Sequence, residues 1–476
     1  MELDPLVLSR LQFAFVVSFH AIFPVFTIGL ASYIAVLEAI RYKTGDPHWQ
    51  RLSEFWIKVF AVVFGMGVVS GLVMAFQFGT NWSEFAYRTS NFLGPVLSYE
   101  VITAFFLEAA FLGVLLFGRN KVAPGLFLFA AIMVAVGTMI SSFWILATNS
   151  WMHTPAGFEM RDGMVHVTSW TEAIFNPSFP YRLSHMLLAS FLTGGFVVAA
   201  VSAWFLLKSH AVESAKRALK MTVIMLAIAA PAQLIMGDFH GLNTLEHQPA
   251  KIAAMEGIWH TERGAPLLLF AIPDVANETN HFEIGIPKLA SLILTHELDG
   301  ELRGLTDFAA DERPQEIFTI FWSFRVMVGI GIIFILMALL GAWLLFKGRL
   351  YESRRYLRAL TFMLPLPFVA VLAGWFVTEI GRQPWMLTGY ITVADGLTPS
   401  LTGPMALATL IGYALVYAAV FSAGIYYLVH IVRNGMPEVA HSTQKHGHAK
   451  RPLSAVDTPL DHNNPIDDPR HPAVAS

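Results

Sequence analysis

Residues 316–346 read EIFTIFWSFRVMVGIGIIFILMALLGAWLLF, and the 21 residues from Val326 to Phe346 include no charged side chain. At about 1.5 Å rise per residue such a helix is about 31 Å long, enough to cross a hydrocarbon core of about 30 Å. Comparable apolar runs, separated by turn and charge signals, lie near 8–40, 54–80, 94–117, 123–147, 184–207, 217–237, 357–380 and 404–433. The pattern predicts an all-α polytopic membrane protein with nine transmembrane helices.

Composition agrees. Of 476 residues 55% are hydrophobic and 14% charged, with mean hydropathy +0.56, values that exclude an ordinary soluble protein. A net charge of -3 gives no reason to expect nucleic-acid binding. The absence of cysteine excludes disulfides, thiolate metal sites, iron–sulfur clusters and thioether-linked haem, so any haem is held noncovalently. Met1-Glu2-Leu3-Asp4-Pro5 has no basic n-region or cleavage signal, so the first helix is expected to stay in the mature protein.

Lys and Arg in the short loops set the orientation. Fourteen, among them Arg41, Lys43, Arg119, Lys121, Arg217 and Arg354, fall on one side, against Arg88, Arg161, Arg182 and Arg382 on the other. The positive-inside bias places the N-terminus outside and the C-terminus in the cytoplasm. The expected organisation is helices one to six over 1–237, a periplasmic loop over 238–315, helices seven to nine over 316–433, and a disordered cytoplasmic tail over 434–476. The loop is long and mixed in composition, as binding loops are. The tail's five histidines lack metal-site spacing and read as solvated.

An ionisable side chain inside a bilayer costs about 2.5 kcal/mol or more on insertion scales, so each one calls for a partner or a function. His20 lies in LQFAFVVSFHAIFPVF and His185 in PYRLSHMLLASF, and these are the only histidines read as well inside spans. Two are too few for a haem–copper centre, but imidazole with a Met thioether is a common axial pair for a six-coordinate haem. Met327 follows Arg325 by two residues near the outer end of the seventh helix, where a cation suits haem propionates. Glu100 and Glu108, in SYEVITAFFLEAAF, stand eight residues and about 12 Å apart, roughly on one helical face. With Ser141 of the fourth helix they read as a proton relay rising from the cytoplasm through Glu108 to Glu100. Glu379 closes the eighth helix in GWFVTEIGRQPW, with Arg382 placed to neutralise a carboxylate or a propionate. By this topology His20, His185, Met327, Glu379 and Glu100 converge on one layer beneath the long loop.

These residues resemble subunit I of the cytochrome bd-type quinol oxidases. GRQPW at 381–385, SFRVM at 323–327, SFH at 18–20 and the Glu100/Glu108 pair match the family pattern in the family order, over residues 1–433. The resemblance implies that His185 and Met327 bind a low-spin haem b. It makes His20 and Glu379 the ligands of two five-coordinate haems, a high-spin haem b and either haem d or a second high-spin haem b. It places Arg382 and Trp375 near that pair and Arg325 beside the low-spin haem. EHQPAKIAAMEG at 246–257 resembles the quinol-binding loop, with Lys251 and Glu256 at matching positions, although by residue chemistry alone they would read as a solvated i,i+5 pair. Its distance from the haem ligands leads to the expectation that the loop is remote from the irons. The stretch from Lys251 to Arg325 resembles the short quinol-loop branch that includes cyanide-insensitive oxidases.

The implied activity is ubiquinol oxidation outside and dioxygen reduction to water with cytoplasmic protons, generating a membrane potential without pumping. The implied setting is the bacterial inner membrane. Subunit II is the implied partner, with a small single-helix subunit as a further candidate, and small-residue faces such as LTGGF at 192–196 offer room for a helical partner. Two competing readings are weaker. A proton-coupled transporter would be expected to show inverted repeats, which are not evident, and a silent oxidase subunit would lack His20, His185, Met327 or Glu379.

Overall fold

The computed structural model describes residues 3–436, so the expected tail lies, beyond Met436, outside the described residues. Among the described residues nine helices are long and apolar enough to cross a membrane. They are Pro5–Thr44, Pro47–Thr80, Ser90–Phe117, Pro124–His153, Phe179–Leu207, Val212–His247, Ile317–Phe346, Arg354–Ile380 and Gly403–Asn434, here called the first to ninth spans. Their number and order are those read from the sequence.

The ends follow local chemistry. Asp4 and Asp46 cap the first two spans, accepting from the backbone N–H of Leu6 at 2.8 Å and His48 at 2.9 Å, with Pro5 and Pro47 in the first turn where no N–H is needed. Gly45, at φ +66°, closes the first span in the left-handed conformation that glycine adopts without a Cβ penalty. The sixth span runs ten residues beyond the expected 237, because nothing in 238–247 breaks a helix until Gln248-Pro249. The eighth is interrupted between Phe362 and Leu366, where Pro365 and Pro367 remove backbone donors.

The fifth span is the most enclosed and the ninth the least, with 72% and 17% of their apolar windows buried. The first and fifth spans meet so closely that a Cβ on Gly29 would overlap Ser190 O and one on Gly194 would overlap the Gly29 backbone, while Gly195 abuts Met225 and Leu226 of the sixth. LTGGF therefore serves packing within this chain, which corrects the expectation that it offers a face to a partner subunit. The close approach is the physical reason for the small residues.

At the end of the bundle away from the 238–315 segment, the fully buried Glu38 accepts from Arg41 and Arg119, each at 2.6 Å, and from the Ser53 hydroxyl. Arg119 also lies 4.3 Å from the Phe127 ring centre. Paired this fully, a buried carboxylate is tolerated. At the other end, called the loop side, short helices and four two-stranded antiparallel ladders cover the spans. The two that matter below are the loop helix Pro249–Glu256 and the hairpin of Leu267–Asp274 with Thr279–Ile286.

Candidate functional site

His20 projects from the first span toward the second, where Gly71 leaves room beside its ring. Its Nδ1 lies 3.0 Å from Ser70 Oγ, and that hydroxyl donates its one proton to Gly67 O at 2.9 Å. With that proton on Gly67 O, Ser70 Oγ is placed to accept from an Nδ1–H, the tautomer that leaves the Nε2 lone pair for a ligand. His185 of the fifth span sits against Gly237 of the sixth, its Nε2 3.2 Å from Gln233 Nε2 and its buried Nδ1 without a hydrogen-bond partner. His240, expected in the loop, instead lies on the extended sixth span, its ring centre 5.4 Å from that of His185. Met327 of the seventh span lays its sulfur over Gly374 of the eighth. Gly71, Gly237 and Gly374 thus each clear space beside a candidate axial ligand.

Glu379, at the loop-side end of the eighth span, is held from several directions. Oε2 accepts from Arg382 Nη2 at 2.6 Å and Oε1 from Asn149 Nδ2 at 2.8 Å, while His153 Nε2 stands 3.6 Å from Oε1. Arg182 Nη1 donates to Asn149 Oδ1 at 2.6 Å, so two guanidinium groups compensate one partly buried carboxylate. Arg382 Nε is buried without an acceptor, a free charge-assisted donor suited to a propionate. Trp375, one turn before Glu379, packs against the cluster of Leu146, Ala147 and Phe179.

Lys251 is buried, not solvated as charge alone suggested. Its Nζ donates to Gln248 Oε1 at 2.6 Å and Thr378 O at 3.3 Å, and lies 3.2 Å from His153 Nδ1. One imidazole therefore separates it from Glu379, which overturns the expectation that the loop is remote from the candidate ligands. Burial, with the nearby Arg182 and Arg382 cations, pushes the Lys251 ammonium well below its usual range, against the opposing pull of Glu379. Glu256 pairs with Arg325 Nη2 at 3.2 Å and not with Lys251. Burial pushes the Glu256 carboxyl up and Arg325 opposes that rise. Arg325 also donates to Leu268 O at 2.9 Å and to Met255 O, and lies 3.6 Å from the Phe321 ring centre. Its guanidinium is engaged by the loop, where the sequence reading had aimed it at propionates.

The third span departs from α-helical geometry between its two glutamates, at a π-helical turn over Val101–Phe105. Eight residues of α-helix would leave Glu100 and Glu108 about 80° apart around the axis. A π-turn absorbs one residue's rotation and reduces this to about 20°, which brings both onto one face. On the fourth span Gly137 and Ser141, one turn apart, receive them: Glu108 lies over Gly137, and Ser141 Oγ donates to Glu100 Oε1 at 2.8 Å. Glu108 is buried and its Oε1 has no partner.

The sequence reading identified Ser141, Glu379 and Arg382 but not Asn149, His153, Ser70, Gln233 or Gln248. Asn149 and His153, spaced i,i+4 in NSWMH, carried a usable signal, hidden because the fourth helix was ended at 147. Among the described residues no three His, Cys, Asp or Glu side chains form a metal-holding group. Three isolated candidate donors, His20, His185 and Met327, each beside a glycine, and the free buried Arg382 Nε fit a macrocycle whose iron is already held on four sides.

A family profile described as cytochrome bd terminal oxidase subunit I matches residues 8–436. The cytochrome bd ubiquinol oxidase subunit 1 of Bacillus subtilis (strain 168) is 32% identical over 449 residues, covering 92% of this chain and 96% of that protein. The cytochrome bd-II ubiquinol oxidase subunit 1 of Escherichia coli (strain K12) is 30% identical over 508 residues, covering 93% and 98%. The bd oxidase structure from Geobacillus thermodenitrificans superposes with a TM-score of 0.83 at 30% identity, covering 91% of this chain and 99% of that one.

Proposed function

The chain belongs to the cytochrome bd terminal oxidase subunit I family, and from that premise we propose a division of labour among its residues. It is a multi-pass protein of the bacterial inner membrane and a haem-containing subunit of a multi-subunit quinol:oxygen oxidoreductase. In our reading His185 and Met327 hold a low-spin haem b, and His20 and Glu379 hold two five-coordinate haems, a high-spin haem b and either haem d or a second haem b. When bound, these groups supply electron transfer and dioxygen reduction, and the protein supplies orientation, charge balance and protons. Ser70 fixes the His20 tautomer, while Arg382, Asn149 and Arg182 keep Glu379 ionised and aimed.

Quinol binds in this reading at the loop helix, where Lys251 and Glu256 meet its two oxygens and Arg325 fixes Glu256. Protons enter from the other side through Glu108, Ser141 and Glu100. With the N-terminus and loop outside and the C-terminus in the cytoplasm, quinol protons leave outside while consumed protons come from inside. Each elementary charge so moved across the membrane corresponds to about 2.3 kcal/mol per 100 mV, with no pumping element. Subunit II is the proposed partner, covering apolar surface such as that of the ninth span.

The observation that carries this reading is that three candidate axial side chains, His20, His185 and Met327, each lie beside a glycine of the neighbouring span, His185 with a buried and unpartnered Nδ1. Reduced-minus-oxidised absorbance spectra with pyridine haemochrome analysis test it. The reading predicts haem b in the native complex and selective loss of the low-spin band in His185→Ala. A far-red chlorin band would assign haem d, its absence a second haem b, and no haem at all would overturn the reading.

A further inference from the structure

The hairpin of the 238–315 segment has two unlike faces. One is clamped to the bundle: Leu268 and Ala271 are buried with Phe321, Leu268 O accepts from Arg325 at 2.9 Å, and Asn280 donates to Gly257 O at 2.8 Å. The other face carries apolar side chains and is open. Phe270 pairs across the strands with Ile284, which is 62% exposed, and Ile272 and Phe282 add to the patch, Phe282 being 77% exposed. The polar groups beside them have partners of their own: Glu283 accepts from Asn280 at 2.9 Å, and His281, opposite Ile272, lies 3.0 Å from Asp274.

Two observations say what covers the patch. Phe270 packs edge-on against Trp322, with ring centres 5.1 Å apart, and Trp322 stands in the second turn of the membrane-crossing seventh span. Phe318 and Val326, one turn to either side of Trp322, are also exposed, so the hairpin's open face continues the exposed apolar surface of this membrane-crossing span. Tryptophan is enriched at the boundary between acyl chains and headgroups. Phe282 in addition holds a left-handed backbone, φ +56°, where a bulky side chain is strained and Gly or Asn is usual. In water such a residue is unfavourable both in backbone and in exposure, whereas in lipid its burial offsets the strain.

We propose that this hairpin is a membrane-contacting element whose open face lies in the bilayer leaflet on the loop side, with phospholipid acyl chains at the headgroup boundary as its partner. It thereby seats the Arg325 and Glu256 wall at the membrane surface. The contact stands on the hairpin and the seventh span alone, independent of the quinol assignment.

The chain has no cysteine, so Phe282→Cys and Ile284→Cys each give one spin-label site in it, with Asn277→Cys in the turn as a solvent reference. The assembled oxidase in phosphatidylcholine vesicles is probed by power-saturation EPR with dioxygen and a water-soluble nickel chelate. The proposal expects dioxygen to relax the labels at 282 and 284 several-fold more than the chelate, with the reverse order at 277. Equal chelate access at all three positions would place the face in water, and exclusion of both relaxers would place it under a protein chain. Either result overturns the proposal. Should the labelled chains fail to assemble, quenching of Phe282→Trp by brominated lipids decides: added quenching over the native protein supports the contact, and none refutes it.

Discussion

Two carboxylate sites within the helical bundle of this chain are built in opposite ways. Glu379 accepts from a guanidinium and an amide, with a second guanidinium behind the amide and an imidazole at 3.6 Å. Glu108 has a glycine against it and an unpartnered oxygen, and its companion Glu100 has a single hydroxyl. The first arrangement holds a negative charge in place, as the iron-ligand role proposed for Glu379 would require. The second leaves a carboxyl free to exchange a proton, because no cation fixes either of its forms.

The largest effect that could break this comparison is expected at Arg382. Arg382→Leu removes the cation bonded to Glu379 and should destabilise the protein by about 3–5 kcal/mol, the usual outcome when one partner of a buried pair is lost. A thermal melt of the purified complex checks this, and an unchanged midpoint would mean that Arg182 alone suffices. Met327→Leu should next abolish the low-spin haem signature while leaving the Glu379 network intact, readable as a selective spectral change. Lys251→Met should raise the apparent KM for quinol by about tenfold, the cost of a charge-assisted hydrogen bond. Because Lys251 reaches Glu379 through His153, a small shift of the high-spin bands should accompany it. Ser141→Ala should slow turnover by only a few-fold, since water can replace one hydroxyl in a chain.

Parts of this were legible in the sequence because the signal was local. The uncharged run after Arg325 and the eight-residue spacing of Glu100 and Glu108 act within one helix, and the i,i+3 spacing of Glu379 and Arg382 acts across one helix end. What escaped depended on contacts between distant segments or on backbone detail. Asn149 meets Glu379 across 230 positions, and nothing in NSWMH announces that partner. LTGGF read as a face for a partner subunit, because composition could not say that Gly29 of this same chain would fill it. Lys251 looks like any surface lysine until the loop helix is seen packed against Thr378 and His153. The π-turn between the two glutamates is a backbone event with no residue signature, and it aligns the pair better than the spacing promised.

Glu108→Gln tests the difference between the two carboxylates most directly, measured as oxygen uptake with quinol by the assembled enzyme alongside its reduced-minus-oxidised spectrum. The account predicts turnover slowed by about a hundredfold, the usual scale for losing a proton-transfer group, with every haem band in place. Full oxygen uptake in that variant would contradict it and remove the third-span glutamates from the proton path.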